Sequence, residues 1–112
     1  MDGIETLDPG LRPYAAALLD VANSYGLRPT ITSAFRSVER QRDLYTKWRS
    51  GASTIPAAPP GRSLHNYGHA FDLVVADPDG QQWLGLVWEH WGGRWGGRFD
   101  DPIHFDTGAV IR

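Results

Sequence analysis

Hydrophobic residues near the start of the chain recur at the spacing of an amphipathic helix. Apolar side chains appear every three or four positions over residues 9–25. Asp8 comes directly before this stretch and Pro9 is its first residue. Aspartate before a helix and proline at its first position are both favoured where helices begin. Gly26 follows the last apolar position and suits the left-handed residue that ends many helices. The pattern therefore predicts a helix over 9–25.

A second stretch with helical spacing follows after a short interval. Ser37 is a residue type that caps helices, and Gly51 is suited to ending one, so the sequence predicts a helix over 38–49. Its apolar residues are expected to form a buried stripe of Leu44, Tyr45 and Trp48.

Three short stretches favour extended structure. Residues 30–33, 70–75 and 103–106 are rich in β-branched or aromatic side chains and predict strands. Side chains alternate between the two faces of a strand, so Asp72 should face away from Phe71. Helices and strands that do not alternate strictly along the chain indicate an α+β domain with a small antiparallel sheet flanked by helices.

Glycine and proline mark the segments between these elements. Residues 51–62 contain three prolines and two glycines and predict a long loop, while 77–80 (Asp-Pro-Asp-Gly) predict a turn. Residues 83–91 have helical spacing again, until the glycines at 92–93 interrupt it. The next expected element is a loop containing Gly96-Gly97. The tryptophans of this helix expected in the core are Trp88 and Trp91.

Composition excludes several classes of protein. The 112 residues suit a single domain over 1–112, and the absence of cysteine rules out disulfides and cysteine-bound zinc. A net charge of −2 argues against nucleic-acid binding, and no run approaches the ~18 apolar residues needed to span a bilayer. The acidic start of the chain does not have the pattern of a signal peptide. We expect no nucleic-acid partner, no membrane insertion and a monomer.

Two stretches carry residues that can hold a metal ion. His65 and Asp72 lie on either side of a glycine-containing turn, and Asp101 precedes His104 by three positions. Two histidines and one aspartate give three ligands and leave a fourth position free for water or substrate, as in catalytic zinc sites. A further carboxylate nearby is suited to accepting a proton from water. Asp106 follows His104 at strand spacing and is placed to orient it.

Spacing alone also allows ordinary roles for many of these side chains. His69 and His90 are expected to be surface or hydrogen-bonded residues, and Asp77 and Asp79 to be turn formers. Asp100 is expected to be solvated or capping. Two arginines, Arg94 and Arg98, are expected either to be solvated or to attract an anionic peptide.

Four motifs, in order, give the chain a family resemblance. Residues 63–72 (Ser-Leu-His-Asn-Tyr-Gly-His-Ala-Phe-Asp) resemble the Ser-x-His-x-x-Gly-x-Ala-x-Asp signature of the VanY-like D-Ala-D-Ala carboxypeptidases and L-alanyl-D-glutamate endopeptidases. Residues 101–105 resemble the second signature of these zinc peptidases. Residues 33–37, with Gln41 after them, resemble the segment of the active-site arginine. Residues 91–95 resemble the Trp-Gly-Gly-x-Trp stretch of the endopeptidase branch.

The resemblance, which covers about residues 28–106, implies a fold shared with the hedgehog signalling domain and hydrolysis of peptide bonds in peptidoglycan stem peptides. The roles that it implies are as follows: Zn²⁺ ligands His65, Asp72 and His104; general base Asp101; carboxylate-binding or oxyanion-stabilising Arg36; ligand support by Ser63. For Trp95, contact with the peptide in the cleft and core packing both remain open.

Several functions stay in competition at this point. An aspartate at position 101 resembles the endopeptidase branch found in some phage endolysins, whereas the carboxypeptidase branch usually has glutamate there. The leading prediction is an L-alanyl-D-glutamate endopeptidase. Alternatives are a D-Ala-D-Ala carboxypeptidase, a non-catalytic zinc-containing wall-binding module and a DNA-binding or interaction domain without metal. We expect a protein made in the cytoplasm that reaches the wall by phage-type release, or a domain of a longer protein.

Overall fold

The computed structural model describes residues 3–111, within which three α-helices and four strands follow one another. In chain order they are α1 (Arg12–Ser24), β1 (Thr30–Ser33), α2 (Val38–Arg49), β2 (Ala70–Val74), α3 (Pro78–His90), β3 (Arg94–Trp95) and β4 (His104–Asp106). Single 3₁₀ turns lie at Ile4–Thr6, Leu64–Tyr67 and Gly96–Phe99. No helix in residues 3–111 combines the length and apolar character required to cross a membrane.

The four strands form one antiparallel sheet in the order β1-β2-β4-β3. The predicted α+β class with a small antiparallel sheet is confirmed. Asp72 of β2 lies directly opposite His104 of β4, and Arg94 of β3 lies directly opposite Asp106 of β4. Because alternate residues of a strand share a face, these four polar side chains lie on the same face of the sheet.

The opposite face of the sheet carries the hydrophobic core. Phe71 and Phe105 are fully buried and stacked with their ring centroids 5.5 Å apart, and Trp88 of α3 packs edge-on against both. Fully burying a side chain of this size contributes about 1.5–3 kcal/mol. Helix α1 adds its apolar stripe to the same core: Ala15, Leu18, Leu19 and Ala22.

Helix α1 begins later than its sequence pattern predicts. The carbonyl of Asp8 accepts hydrogen bonds from the backbone N–H groups of Leu11 and Arg12, so residues 9–11 form a turn that leads into the helix. The proline in the first helical turn is Pro13 rather than Pro9. The left-handed Gly26 after the helix, with φ of 72°, is confirmed.

Helix α2 has the predicted bounds, and its predicted cap is present. The Ser37 hydroxyl accepts a hydrogen bond from the backbone N–H of Arg40 at 3.0 Å. The expected buried stripe is wrong, because Leu44, Tyr45 and Trp48 are only half-buried and Gln41 is the buried residue of the helix. Helix α2 lines a cleft on the polar side of the sheet, so its inward face meets polar groups.

Helix α3 includes the segment predicted as a separate turn. Asp77 caps the helix by accepting a hydrogen bond from the backbone N–H of Asp79 at 3.0 Å, and Pro78 is the first helical residue. Gly80 is buried against Leu27, where an added Cβ would lie 2.9 Å from a Leu27 methyl carbon. The turn-former interpretation of Asp77 and Asp79 is therefore replaced by a helix start.

The tryptophans after residue 87 differ from expectation in which of them are buried in the core and which are exposed. Trp88 is buried as predicted, but Trp91 is 36% exposed and lies at the end of α3. Trp95 is only 6% exposed and belongs to the core, so of the two roles left open for it the structure supports core packing and not contact with the peptide. Its Nε1–H donates to the carbonyl of Pro102 at 2.8 Å, which ties the next loop to the core. The predicted loop after α3 contains strand β3 and a 3₁₀ turn.

Candidate metal centre

Three separate segments bring a histidine, an aspartate and a second histidine together. The β2–β4 register places Asp72 beside His104, and the 3₁₀ turn before β2 carries His65. The Oδ1 atom of Asp72 lies 3.2 Å from His65 Nε2 and 3.6 Å from His104 Nδ1. One candidate ligand atom from each residue lies within 4.8 Å of the other two.

Local hydrogen bonds fix the turn that carries His65. The Ser63 hydroxyl accepts from the backbone N–H of His65 at 3.2 Å, and Ser63 and Asn66 form a capping box. Gly68 ends the turn with φ of 72°, and a Cβ on this residue would lie 2.8 Å from the backbone nitrogen of Asp8. Both its conformation and its surroundings therefore require glycine, which lets the chain fold back into β2.

Neighbouring acceptors set the hydrogen positions on both imidazole rings. His65 Nδ1 lies 2.8 Å from the carbonyl oxygen of Ala34, and His104 Nε2 lies 2.6 Å from Asp106 Oδ2. A carbonyl or carboxylate oxygen only accepts, so these nitrogens carry the hydrogen. His65 Nε2 and His104 Nδ1 are the nitrogens left facing Asp72, and each would offer its lone pair to a metal ion that displaces its hydrogen, as in metal-binding histidines.

This donor set fits a zinc ion. Ligand atoms about 2.0–2.1 Å from a tetrahedral zinc are about 3.3 Å apart, close to the two distances from Asp72 Oδ1. Imidazole nitrogens with one carboxylate are ordinary zinc ligands, and three protein ligands leave a fourth position open. The fit rests on the fixed ring nitrogens and their spacing.

Arg36 and Asp101 line the same cleft as the three candidate ligands. The Arg36 guanidinium donates to Gln41 Oε1 at 2.9 Å and to Ser33 Oγ at 3.0 Å, and it lies 3.7 Å from Asp72 Oδ2. These contacts hold its positive charge near Asp72 Oδ2, whereas His65 lies near the other carboxylate oxygen, Oδ1. The structure thus brings together the residues predicted as metal ligands, base and anion-binding arginine.

The electrostatics of the cluster follow from burial and from its close charges. Burial opposes charge on Asp72, but hydrogen bonds from His104 and His65 outweigh it and hold the Asp72 pKa well below its usual range. Burial also lowers the pKa of His104, yet hydrogen bonds to Asp106 and Asp72 raise it to about 9. Burial, together with the negative charge of Asp72, raises the pKa of Asp101.

The cleft over the cluster has a volume of about 420 Å³. Helix α2 and the 51–62 loop form one wall, with Lys47 and Ile55 among its residues, and the loop before β4 forms the other. The predicted irregular structure of 51–62 is confirmed. The cleft is therefore large enough for several residues of an extended peptide and carries two basic side chains, Arg36 and Lys47.

Several residues that shape the site were not singled out for these roles by the sequence. The buried Gln81 of α3 donates to the carbonyl of Pro102 at 2.9 Å, which helps to hold the loop that carries Asp101. Asn66 donates to the carbonyl of Arg36 at 2.8 Å. A polar residue at a core-facing helical position was the available signal for Gln81. For Asn66 the signal was its place inside the 63–72 motif.

Other candidates have different surroundings. His69 and His90 are not part of the cluster, as expected. Asp100 has a left-handed backbone (φ of 63°) and ends the 3₁₀ turn before it. Neither Arg94 nor Arg98 is simply solvated, because each forms a salt bridge: Arg94 with Asp106 and Arg98 with Glu89.

The fold and donor set define a small α+β metalloprotein with an open site in a peptide-sized cleft. A family model described as D-alanyl-D-alanine carboxypeptidase (VanY) matches residues 5–97. The chain therefore belongs to the VanY family. That match ends before Asp101 and His104. The structure places these two residues in the site: His104 through its pairing with Asp72, and Asp101 through its position in the lining of the cleft.

Similar proteins come from both sequence and structure. The peptidoglycan L-alanyl-D-glutamate endopeptidase CwlK of Bacillus subtilis is 33% identical, over 89% of this chain and 72% of CwlK. The vancomycin-resistance D,D-pentapeptidase VanY in complex with Zn(II) has a TM-score of 0.72 at 21% identity, over 91% of this chain and 73% of its own. The L-Ala D-Glu endopeptidase ChiX of Serratia marcescens has a TM-score of 0.62 at 22% identity, over 93% and 82%.

Proposed function

We propose that this protein is a zinc-dependent peptidase that hydrolyses an amide bond of peptidoglycan stem peptides, with L-alanyl-D-glutamate endopeptidase as its specific activity. The observation that carries the proposal is the cluster of His65, Asp72 and His104, with one ring nitrogen of each histidine facing Asp72, in one cleft with Asp101 and Arg36. Membership of the VanY family and the 33% identity to CwlK support the substrate class.

The three clustered side chains would hold the zinc ion through His65 Nε2, Asp72 and His104 Nδ1. When bound, zinc supplies a Lewis acid that polarises a carbonyl group and makes water more acidic. The sheet holds Asp72 and His104, while the Ser63-capped turn holds His65. The protein's contribution is thus to present three ligands in fixed orientations and to leave room for the substrate.

Asp101 is the proposed general base. Its carboxylate borders the cleft, and its own backbone is held at both ends: its N–H donates to the carbonyl of Gly96, and its carbonyl accepts from His104. Asp101 takes a proton from the attacking water and returns it to the amine that leaves when the amide bond breaks. A raised pKa brings this carboxylate closer to the range in which proton transfer in both directions is efficient.

Arg36 is the proposed anion-binding residue. Its guanidinium is anchored by Gln41 and Ser33 and carries a permanent positive charge into the cleft. In this position it binds a carboxylate of the substrate or donates to the oxygen that becomes negative as the carbonyl is attacked. Ser63 supports the site through the backbone of His65 rather than through a ligand side chain.

The shape around His104 favours internal cleavage over removal of a terminal residue. A second depression lies beside the cleft, and Ser63, Ala58 and His104 border both. An endopeptidase substrate continues on both sides of the bond that is cut, and the second depression offers additional surface next to His104 for such a substrate. The alternative, a D-Ala-D-Ala carboxypeptidase, is favoured by the description of the family itself.

Metal analysis combined with mass spectrometry of digested peptidoglycan tests the proposal. We expect one zinc per chain, loss of lysis on chelation, recovery with zinc and fragments that begin at D-glutamate. Release of free alanine alone would replace the endopeptidase with the carboxypeptidase. Zinc binding without cleavage of any stem peptide would favour a wall-binding module, and a folded protein without metal affinity would refute the zinc site. Action at the cell wall and a monomeric state remain predictions.

A further inference from the structure

We propose that Arg94 is a positioning residue for the zinc site, which acts through Asp106 on the ligand His104. Nothing in the resemblance or the comparisons assigns this arginine a role. The inference rests on the zinc site proposed above, but it concerns a different link: how the orientation of His104 is maintained from outside the cleft.

Asp106 connects the two residues because each of its carboxylate oxygens is shared. Oδ2 accepts from His104 Nε2 at 2.6 Å and from the terminal Nη2 of Arg94 at 2.6 Å. Oδ1 accepts from Arg94 Nε at 2.9 Å and from the backbone N–H of Gly108 at 2.7 Å. The carboxylate is fully buried, so its orientation depends on these donors rather than on water.

Arg94 reaches Asp106 through the strand register. The two residues are directly opposite each other on β3 and β4, and the guanidinium contacts both carboxylate oxygens as a fork. Its charge also lies 5.3 Å from the ring centre of Phe99, and that ring lies 5.8 Å from the ring of His104. Arg94 therefore holds one side of Asp106 while His104 occupies the other.

This arrangement matters most when zinc is bound. His104 would then offer its Nδ1 lone pair to the metal and keep a single ring proton, on Nε2, for donation to Asp106. A fully buried carboxylate requires a compensating charge and hydrogen bonds. Arg94 supplies a permanent charge that keeps Asp106 available as an acceptor, and Asp106 in turn keeps the ring turned towards the metal.

The test compares zinc affinity in Arg94→Ala, Arg94→Lys and Arg98→Ala, by competition with a chromophoric chelator. Arg98 is a matched control because it also forms a forked pair, with Glu89 at 3.0 and 2.7 Å, and is similarly exposed at 61% against 53% for Arg94. We expect about 10-fold weaker zinc binding in Arg94→Ala, the lower end of losses for outer partners of ligating histidines. Arg98→Ala should retain the native affinity.

Two further measurements separate positioning from general destabilisation. Lysine has one compact charge instead of a fork, so Arg94→Lys should bind zinc with intermediate affinity. Because the Arg94 side chain is half exposed, millimolar guanidinium should enter the space left in Arg94→Ala and restore part of the affinity. The same addition should not strengthen zinc binding in Arg98→Ala.

Native zinc affinity in folded Arg94→Ala would overturn the inference, and so would equal losses in the Arg94→Ala and Arg98→Ala variants. If Arg94→Ala does not fold, native affinity in Arg94→Lys overturns it. A native protein without zinc affinity would refute the proposed function and this inference together. Zinc binding that depends on Arg94 in a protein that cleaves no peptide would refute only the proposed peptidase activity.

Discussion

Replacing Gln81 by alanine is expected to lower stability and peptide cleavage together. Gln81 is buried in α3 and connects three segments through its side-chain amide. Its Oε1 accepts from the backbone N–H of Val75 at 2.9 Å, and its Nε2 donates to the carbonyls of Leu73 and Pro102 at 2.8 and 2.9 Å. The last of these contacts holds the residue next to Asp101.

The magnitude follows from these three hydrogen bonds. At about 1 kcal/mol for each bond lost, Gln81→Ala should reduce the free energy of unfolding by about 3 kcal/mol. With a urea dependence of about 1.5 kcal/mol per molar, the unfolding midpoint should fall by about 2 M. Among residues 3–111, the Pro102 carbonyl would keep a single hydrogen-bond donor, Trp95, so the loop that carries Asp101 would be held less firmly. A base displaced by even a fraction of an ångström should lower kcat by about 10-fold or more.

Urea unfolding followed by tryptophan fluorescence gives the stability change, and mass spectrometry of peptide cleavage by the zinc-loaded protein gives the rate. Gln82→Ala is the matched control, since Gln82 is the next residue of the same helix and is exposed. It should change the free energy of unfolding by about 0.5 kcal/mol or less. Equal midpoints for the two variants would refute the reasoning, and a stability loss with unchanged kcat would refute the link to Asp101.

Three further predictions follow from the site and the core. Asp101→Asn should retain zinc but lose about 100-fold or more in cleavage rate, and native cleavage by the zinc-loaded variant would exclude Asp101 as the base. Since the His104 pKa is raised to about 9 in the metal-free protein, zinc binding at pH 7 should release about one proton from its ring, and apparent zinc affinity should increase with pH up to about 9. Calorimetry in buffers with different ionisation enthalpies measures the release, and its absence would contradict the protonated ring. Gly85→Ala should destabilise the fold by about 1–3 kcal/mol in urea unfolding, because the added Cβ would lie 2.1 Å from a Trp95 ring carbon. An unchanged midpoint would contradict that packing argument.

The sequence predicted correctly those helix ends that are fixed by residues close to them in sequence. Helix α2 has its predicted bounds because the Ser37 cap and the left-handed Gly51 act within one turn of its ends. The Asp77–Gly80 segment was mistaken for a separate turn because an aspartate followed by proline also begins helices. Contact of Gly80 with Leu27 stabilises the helical alternative, and no local pattern reports that contact.

The motifs predicted the candidate metal ligands, but they did not predict the residues that hold those ligands and Asp101 in position. His65, Asp72 and His104 could be selected because each lies at a fixed position of a recognisable motif. Arg94 and Gln81 act through partners that are distant in sequence, and those pairings depend on the register of β3 with β4 and on the packing of α3. Trp95 shows the same limit, since its indole could face either the cleft or the core until the position of β3 was known.

Alternate side chains of β2 and β4 point to opposite faces of the sheet, so one face of each strand stabilises the fold and the other carries residues of the candidate site. In β2, Phe71 and Leu73 enter the core while Asp72 between them faces the cleft, and in β4 Phe105 lies between His104 and Asp106 in the same way. Asp72 and His104 are therefore held by backbone that the core fixes, while the Ser63-capped turn holds His65. A register shift of one residue would move every one of these side chains to the wrong face, so the apolar packing that specifies the register also specifies the metal site.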